Sequence, residues 1–392
     1  MSKGSAARVL HLLAGFDPGA ESARAIAAIN ALGKQVSHAV VSEDRAARGA
    51  TGQILKGIAL TWPKFPSLEG KPWPGRLKGL AAAMAGYDLI CTYGWGAVDA
   101  AMAHTLFADV FKLAPLVHHE FDPDPQELAS GGSFSRRAYR KIAFGRSAAI
   151  IVASPEAERM ALEIWQQPRT RVRLIPEGVD TRAYAATPPR DVLPSFIKRK
   201  GEGWIGTLAD GVDAKGLVTL VSVLDQLPDE WQVVVLGAAD DTLREVALTQ
   251  AEELEVDHRL HFTGPTDVSA VIGLCDILAL SRPPAELATT IAGAMAASVP
   301  LVMPHGVSGW GAALAMPASD NGPFLFDAAK PNAMAAAVLG LAQDPRSCNR
   351  VGKANRDKAR EQFDAVKLLA RQLALYRSLL GGKPAASAAE EA

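Results

Sequence analysis

The stretch SRPPAELATTIAGAMAASVPLV, residues 281–302, decides how this chain is read. It follows the apolar run Asp276–Leu280, the end of a buried strand. A proline-marked loop comes next, then a helix rich in Ala, Ile and Met, then a second apolar strand at Val299–Met303. Its single acid is Glu286. A carboxylate at a loop–helix junction beyond a parallel strand lies where open α/β folds bind ligands, outside the carboxyl ends of the strands.

Outward from this segment, short β-branched runs alternate with Ala-rich helical windows, the pattern of a parallel sheet with crossover helices. The first half predicts strands at Arg8–Ala14, His38–Ser42, Asp88–Thr92, Pro115–His118 and Ala148–Ala153. The second half restarts at Trp204–Thr207, Gln232–Leu236, Arg259–Phe262 and the two strands already named. The fold class is therefore α/β, with two Rossmann-like doubly wound domains expected to face each other across a cleft. The first spans 1–185 and the second 204–364. A linker at 186–203 carries Pro188, Pro189, Pro194 and the basic cluster Lys198-Arg199-Lys200. A C-terminal helix at 365–381 is expected to pack back on the first domain. A low-complexity tail at 382–392 is expected to be disordered.

A length of 392 residues suits two cores rather than one. The formal charge of −1 gives no global attraction to nucleic acid, so no nucleic-acid partner is expected. Three widely spaced cysteines without a CxxC argue against a disulfide framework or a zinc site. No metal and no cofactor are expected. The N-terminus lacks the apolar run of a secretory signal, and no stretch approaches the roughly 18 apolar residues of a spanning helix. A cytoplasmic protein is the expectation, with a place at the inner face of the membrane as its variant.

Five constellations carry chemistry. Gly15–Glu21 follows the first strand and opens a helix, so its glycine turn offers N–H groups to a phosphate or a polar acceptor; the plain alternative is a turn with an N-terminal acid, Glu21. His118, His119 and Glu120 end a strand and supply proton-transfer or sugar-hydroxyl partners, against the alternative of a loop histidine bonded to backbone. Ile175–Asp180, IPEGVD, reads as an ordered turn near the domain junction. Lys215-Gly216 stands at a strand–helix loop, where a compact ammonium suits a diphosphate. Arg136, Arg137, Arg140 and Lys141 form neighbouring rows on a helix, which can meet anionic lipid or present a solvated face.

In chain order, PGAE, IPEGVD, KG, HFTG at His261–Gly264, CDILALS and GAMAASVP resemble the retaining glycosyltransferases of the group 1 type, family 4-like, with the GT-B fold. The resemblance spans approximately Val9 to Leu380. It implies transfer of a sugar from a nucleotide-diphosphate donor to a glycan or lipid-linked acceptor, with retention, in polysaccharide or cell-envelope glycan synthesis. It places the donor on the second domain and the acceptor on the first. By the same resemblance, Gly19, Lys215, Gly216, Arg282 and Glu286 hold the donor, Glu21 and Glu120 lie on the acceptor side, and His118, His119 and Glu286 are catalytic. Departures are Thr207 for the donor-site arginine, Gly293 for the second acid of the E-x7-E pair, Glu286 one residue out of register, and Glu177 in PEGVD for the usual Asn. Arg282 and His305 flank the same strand ends and stand in by position. The alternative function is a catalytically impaired scaffold or regulator of a glycan assembly system.

Overall fold

The computed structural model describes residues 6–44, 46, 48–121, 133–193, 196–282, 287–305, 320–330 and 332–381. The chain divides into two compact units, residues 1–177 with 367–392, and residues 178–366.

In the first unit the order is β1 (Ala7–Leu13), α1 (Ala20–Leu32), β2 (Val36–Ser42), β3 (Leu60–Thr61), α2 (Pro74–Met84) and β4 (Leu89–Tyr93). It continues with α3 (Val98–Phe111), β5 (Leu116–Glu120), α4 (Phe134–Ala143), β6 (Ala149–Val152), α5 (Pro155–Arg159) and β7 (Val172–Leu174). The seven strands form one parallel sheet in the order β3-β2-β1-β4-β5-β6-β7. Both faces are covered, which is why β4 and β5 are buried along their whole length. The period-2 alternation sends Leu10 and Leu12 to one core with Ile90, Leu116 and Ile150, and Val9 and Leu13 to the other with Leu89, Val117 and Ile151.

The second unit contains β8 (Gly203–Leu208), α6 (Ala214–Leu224), β9 (Trp231–Leu236), α7 (Asp241–Glu253), β10 (Leu260–Phe262) and α8 (Val268–Val271). After these come β11 (Ile277–Ala279), α9 (Ala288–Ala296), β12 (Leu301–Pro304), β13 (Leu325–Phe326), α10 (Ala333–Ala342) and α11 (Pro345–Gln362). Its six parallel strands run β10-β9-β8-β11-β12-β13. The wiring repeats that of the first sheet. In each, the strand order reverses between the first strand and the fourth, leaving a crevice at β1/β4 and another at β8/β11.

Described residues of the expected linker, 186–193 and 196–203, pack within the second unit. Leu193 is buried in a core of the second unit, and Lys198 Nζ reaches Asp276 Oδ2 and the Leu274 carbonyl, each at 2.6 Å. Pro188 interrupts regular structure there without interrupting packing, since its ring lies against Gly273. At the junction Val179 N donates to Phe363 O at 2.8 Å and Ala365 N donates to Val179 O at 2.9 Å. Gly178 in IPEGVD lies so close to Ala365 that a Cβ would fall on its backbone, so this glycine serves a chain crossing. The last helix, α12 (Ala365–Leu379), buries Leu368, Leu373 and Tyr376 in the first unit, and Arg371 donates to Leu174 O at 3.0 Å. No helix among the described residues is long and apolar enough to cross a membrane.

Candidate active-site residues at the strand ends

At the β8/β11 crevice, Asp213 caps α6 and its Oδ1 accepts from Gly216 N at 2.8 Å and from Ser281 Oγ at 2.9 Å. Asp213 N in turn donates to that hydroxyl at 2.9 Å, and Arg282 N donates to Gly211 O at 3.1 Å. The loops after β8 and β11 are thus stitched together. Gly216 permits the approach, since a Cβ there would fall on the Ser281 side chain. Lys215 stands exposed in the first turn of α6, beside a helix N-terminus that favours negative charge. Arg282 is exposed after β11, and His305 is exposed after the neighbouring β12. The structure therefore brings Lys215, Gly216 and Arg282 to one crevice. Glu286 lies outside the described residues.

The two departures have different settings. Thr207 is fully buried at the end of β8, and its Oγ1 has no hydrogen-bond partner among the described residues. Gly293 faces Tyr184: a Cβ would stand 2.7 Å from both Cζ and the phenol oxygen of that ring. Tyr184 fills space that a second acid would need.

At the β1/β4 crevice, the Gly15–Gly19 turn is held by Asp17, whose Oδ1 accepts from Gly49 N at 2.8 Å. Ser22 Oγ donates to Asp17 O at 2.5 Å and to Gly19 O at 3.0 Å. Gly19 caps α1 in an extended conformation, and Glu21 follows in the first turn. The Glu21 carboxylate lies against Gly94 at the end of β4, where a side chain would collide with it. Burial, helped by the nearby Glu120 charge and opposed by a bond from the Ala14 backbone, pushes the Glu21 carboxyl up to about 7. It titrates near neutrality.

The histidines are a correction. His118 and His119 are both fully buried, because β5 is covered on both faces and successive residues point into opposite cores. His118 stacks on Phe144 at 4.3 Å and meets Thr92 Oγ1 at 2.8 Å through Nδ1. His119 stacks on Tyr93 at 4.6 Å and its Nε2 meets Tyr376 Oη at 2.6 Å; burial, then the Arg24 guanidinium, holds it well below the ordinary histidine range. Neither ring reaches solvent, so neither is placed to meet a substrate. Glu120 is also buried, with Oε2 at 3.5 Å from His118 Nε2 and 3.4 Å from Arg140 Nε. Burial alone would raise its carboxyl, but Arg140 and His118 hold it below the usual range.

Arg140 is a second correction. It is buried against Glu120 and between Trp95 and Trp165, with centroid distances of 4.9 and 4.7 Å, and presents nothing to a lipid surface. Arg136 is exposed over Trp95 at 4.4 Å, Arg137 is half-buried, and Lys141 is exposed with Nζ at 2.5 Å from Gln166 Oε1. Sequence reasoning passed over Trp95 and Asp99, although the glycine-flanked tryptophan of Tyr93-Gly94-Trp95-Gly96 at a strand end was visible. Among the described residues no group of three or more His, Cys, Asp or Glu is placed to hold a metal ion.

Two family models match: Glycosyl transferases group 1 over residues 200–344, and Glycosyltransferase Family 4 over residues 24–183. No curated protein matches the sequence. Among solved structures, HepE of Anabaena in complex with UDP is 18% identical with a TM-score of 0.67, covering 95% of this chain and 99% of that one. A glycosyltransferase from Rickettsia africae is 13% identical with a TM-score of 0.65 and coverage of 96% and 99%. Sucrose-phosphate synthase from Thermosynechococcus elongatus is 19% identical with a TM-score of 0.62 and coverage of 95% and 99%. At such identities the likeness establishes the fold, and the two models cover most of both units. Residues 200–344 thus belong to the group 1 glycosyltransferases and residues 24–183 to Glycosyltransferase Family 4, and the chain has the GT-B fold.

Proposed function

We propose that this chain transfers a sugar from a nucleoside-diphosphate donor, bound by the second unit, to a glycan or lipid-linked acceptor bound by the first, with retention, in cell-envelope glycan synthesis. The observation that carries the reading is the crevice at β8/β11, where Lys215 and the α6 N-terminus meet a loop pair locked by Asp213 and Ser281. An ammonium beside the positive end of the α6 dipole stabilises the departing diphosphate as its charge develops. Arg282 adds a second cation from the β11 side, and Glu286 is the acid proposed to reach the donor sugar. On the first unit, Glu21 offers a carboxyl that exists in both forms near pH 7, suited to accept from or donate to an acceptor hydroxyl. The donor class is supported by the HepE structure, which holds UDP. Cytoplasmic placement at the inner membrane face belongs to the same proposal. Its surface is the exposed Phe134 and Ile142 of α4 with Arg137 and Lys141, and without Arg140.

A non-catalytic scaffold is the second reading, favoured by Tyr184 standing where the second donor acid would lie. Calorimetric titration with UDP-, GDP- and ADP-sugars, followed by measurement of nucleotide release with and without acceptor glycans, separates the two. Binding and turnover establish the transferase. Binding without turnover leaves the scaffold, and binding of none sinks the donor site.

A further inference from the structure

The first unit holds a groove that the donor and acceptor assignments above do not use. It encloses about 460 Å³ between the segment 68–72, α3 and α4, and its lining includes Trp95, Tyr139, Asp99, Arg136 and Leu68. That volume lies within the roughly 300–1,000 Å³ range of small-molecule sites. Trp95 is 40% exposed, while the buried Arg140 lies 4.9 Å from its ring centroid. Tyr139 stands 6.4 Å away, centroid to centroid, at an angle of 59°.

The polar groups here are built, not loose. Asp99 is held on both oxygens, by Arg76 Nη1 at 2.6 Å and by the Tyr139 hydroxyl at 2.5 Å. Arg76 also binds the carbonyls of Ser67, Leu68 and Gly70, which fixes the segment that forms the groove wall. Each carboxylate oxygen of Asp99 keeps a second lone pair. Arg136 lies exposed across the indole at 4.4 Å and has no carboxylate partner among the described residues, so its fork of donors is available at the mouth.

An aromatic surface with one fixed acid and one available guanidinium matches a pyranose ring, which presents an apolar C–H face and a rim of hydroxyls that both donate and accept. The groove is also joined to the β1/β4 crevice. Trp95 follows Gly94, which touches Glu21, and Gly96 packs on Ala14 at the end of β1.

We infer that this groove is a carbohydrate subsite, in which Trp95 carries one sugar ring of a glycan while Asp99 and Arg136 read its hydroxyls. The word acceptor for that glycan rests on the transferase reading; the binding of sugar does not.

The test is an array of immobilised oligosaccharides probed with the labelled full chain as wild type, Trp95→Ala, Trp95→Phe and Asp99→Asn, each checked for an unchanged circular dichroism spectrum. Wild type is expected to bind a subset of glycans, Trp95→Ala to weaken that binding roughly tenfold or more, and Trp95→Phe to recover part of it. Binding unchanged in Trp95→Ala, or no glycan bound by wild type, overturns the inference. The same samples titrated with UDP-sugars separate the two claims. Nucleotide binding with Trp95-independent glycan binding defeats the groove alone. Trp95-dependent glycan binding without any nucleotide binding upholds the groove and defeats the transferase reading.

Discussion

Between β1 and β4 the first unit places Glu21, a carboxyl raised to about 7, with Glu120 buried behind it. Between β8 and β11 the second unit places Lys215 and Arg282 around a helix N-terminus. The strand order is the same in both sheets, so topology does not distinguish the two crevices. Charge does. A carboxyl raised toward neutrality suits hydroxyls, and cations beside a helix N-terminus suit phosphates. A repeated fold has been given two chemistries by a few residues in the turns that follow its strands.

The interiors differ as well. The first unit threads a polar chain through its core: His11 Nδ1 meets Tyr93 Oη at 3.0 Å, Tyr93 stacks on His119, and His119 meets Tyr376 on α12. The cores of the second unit are dominated by aliphatic side chains. The sharpest way to break the comparison is Tyr376→Ala. It empties a buried aromatic site and leaves His119 Nε2 without its partner, at a cost of about 3–5 kcal/mol. Urea unfolding followed by circular dichroism should then show an early transition of the first unit ahead of the second. A single unshifted transition would mean that α12 contributes little to the first core.

Lys215→Ala should act on the other crevice and leave stability untouched, because the side chain is exposed. A charge-assisted contact to a diphosphate is worth about 1.5–3 kcal/mol, so the dissociation constant for UDP measured by calorimetry should rise roughly 10- to 150-fold. An unchanged constant would remove Lys215 from the donor site.

The alternating runs made the two sheets legible, because buried parallel strands have to be apolar on both faces. The same property misled the reading of Leu116-Val117-His118-His119-Glu120. Polar residues near a strand end look like a site unless something shows that both faces are covered, and the covers, Phe144 and Tyr376, come from distant segments. Lys215-Gly216 was readable because its physics is local, a cation and a close approach at one turn. The reason for Gly293 was not readable, since its neighbour Tyr184 lies far back in the sequence. Trp95 was visible in the sequence but had no meaning until the segment 68–72, α3 and α4 closed around it.

The pH dependence of the first unit should carry two opposing slopes. Glu21 has a folded value of about 7 against an ordinary 4.5, so the native state holds more protons between these limits and stability falls as pH rises through them. His11, pushed down to about 3 from 6.5 by burial and then by His38, works the other way. Here the unfolded state holds more protons, so stability is complete above 6.5 and is lost as pH falls toward 3. Glu21→Gln should therefore flatten the upper slope and leave the acid slope in place, read as urea midpoints between pH 5 and 8. The same variant should remove an ionisation near pH 7 from the rate profile. If the upper slope survives the substitution, the carboxyl at β1/β4 is not the group that titrates.

The smallest effect tests why the second unit lacks its second acid. Gly293→Ala places a methyl 2.7 Å from the Tyr184 ring, which has to shift, at a cost on the order of 1 kcal/mol. Gly293 lies inside α9, where alanine is intrinsically favoured over glycine by roughly 0.5–1 kcal/mol. The two contributions oppose each other, so Gly293→Ala alone should be near neutral or mildly destabilising. In a Tyr184→Ala background the clash is gone and the helix preference remains, so the same substitution should become stabilising. A double-mutant cycle by urea denaturation measures that change of sign directly. If the cost of Gly293→Ala is equal in both backgrounds, the ring does not set the residue at this position. The absence of the acid would then belong to the loop before α9 rather than to the packing behind it.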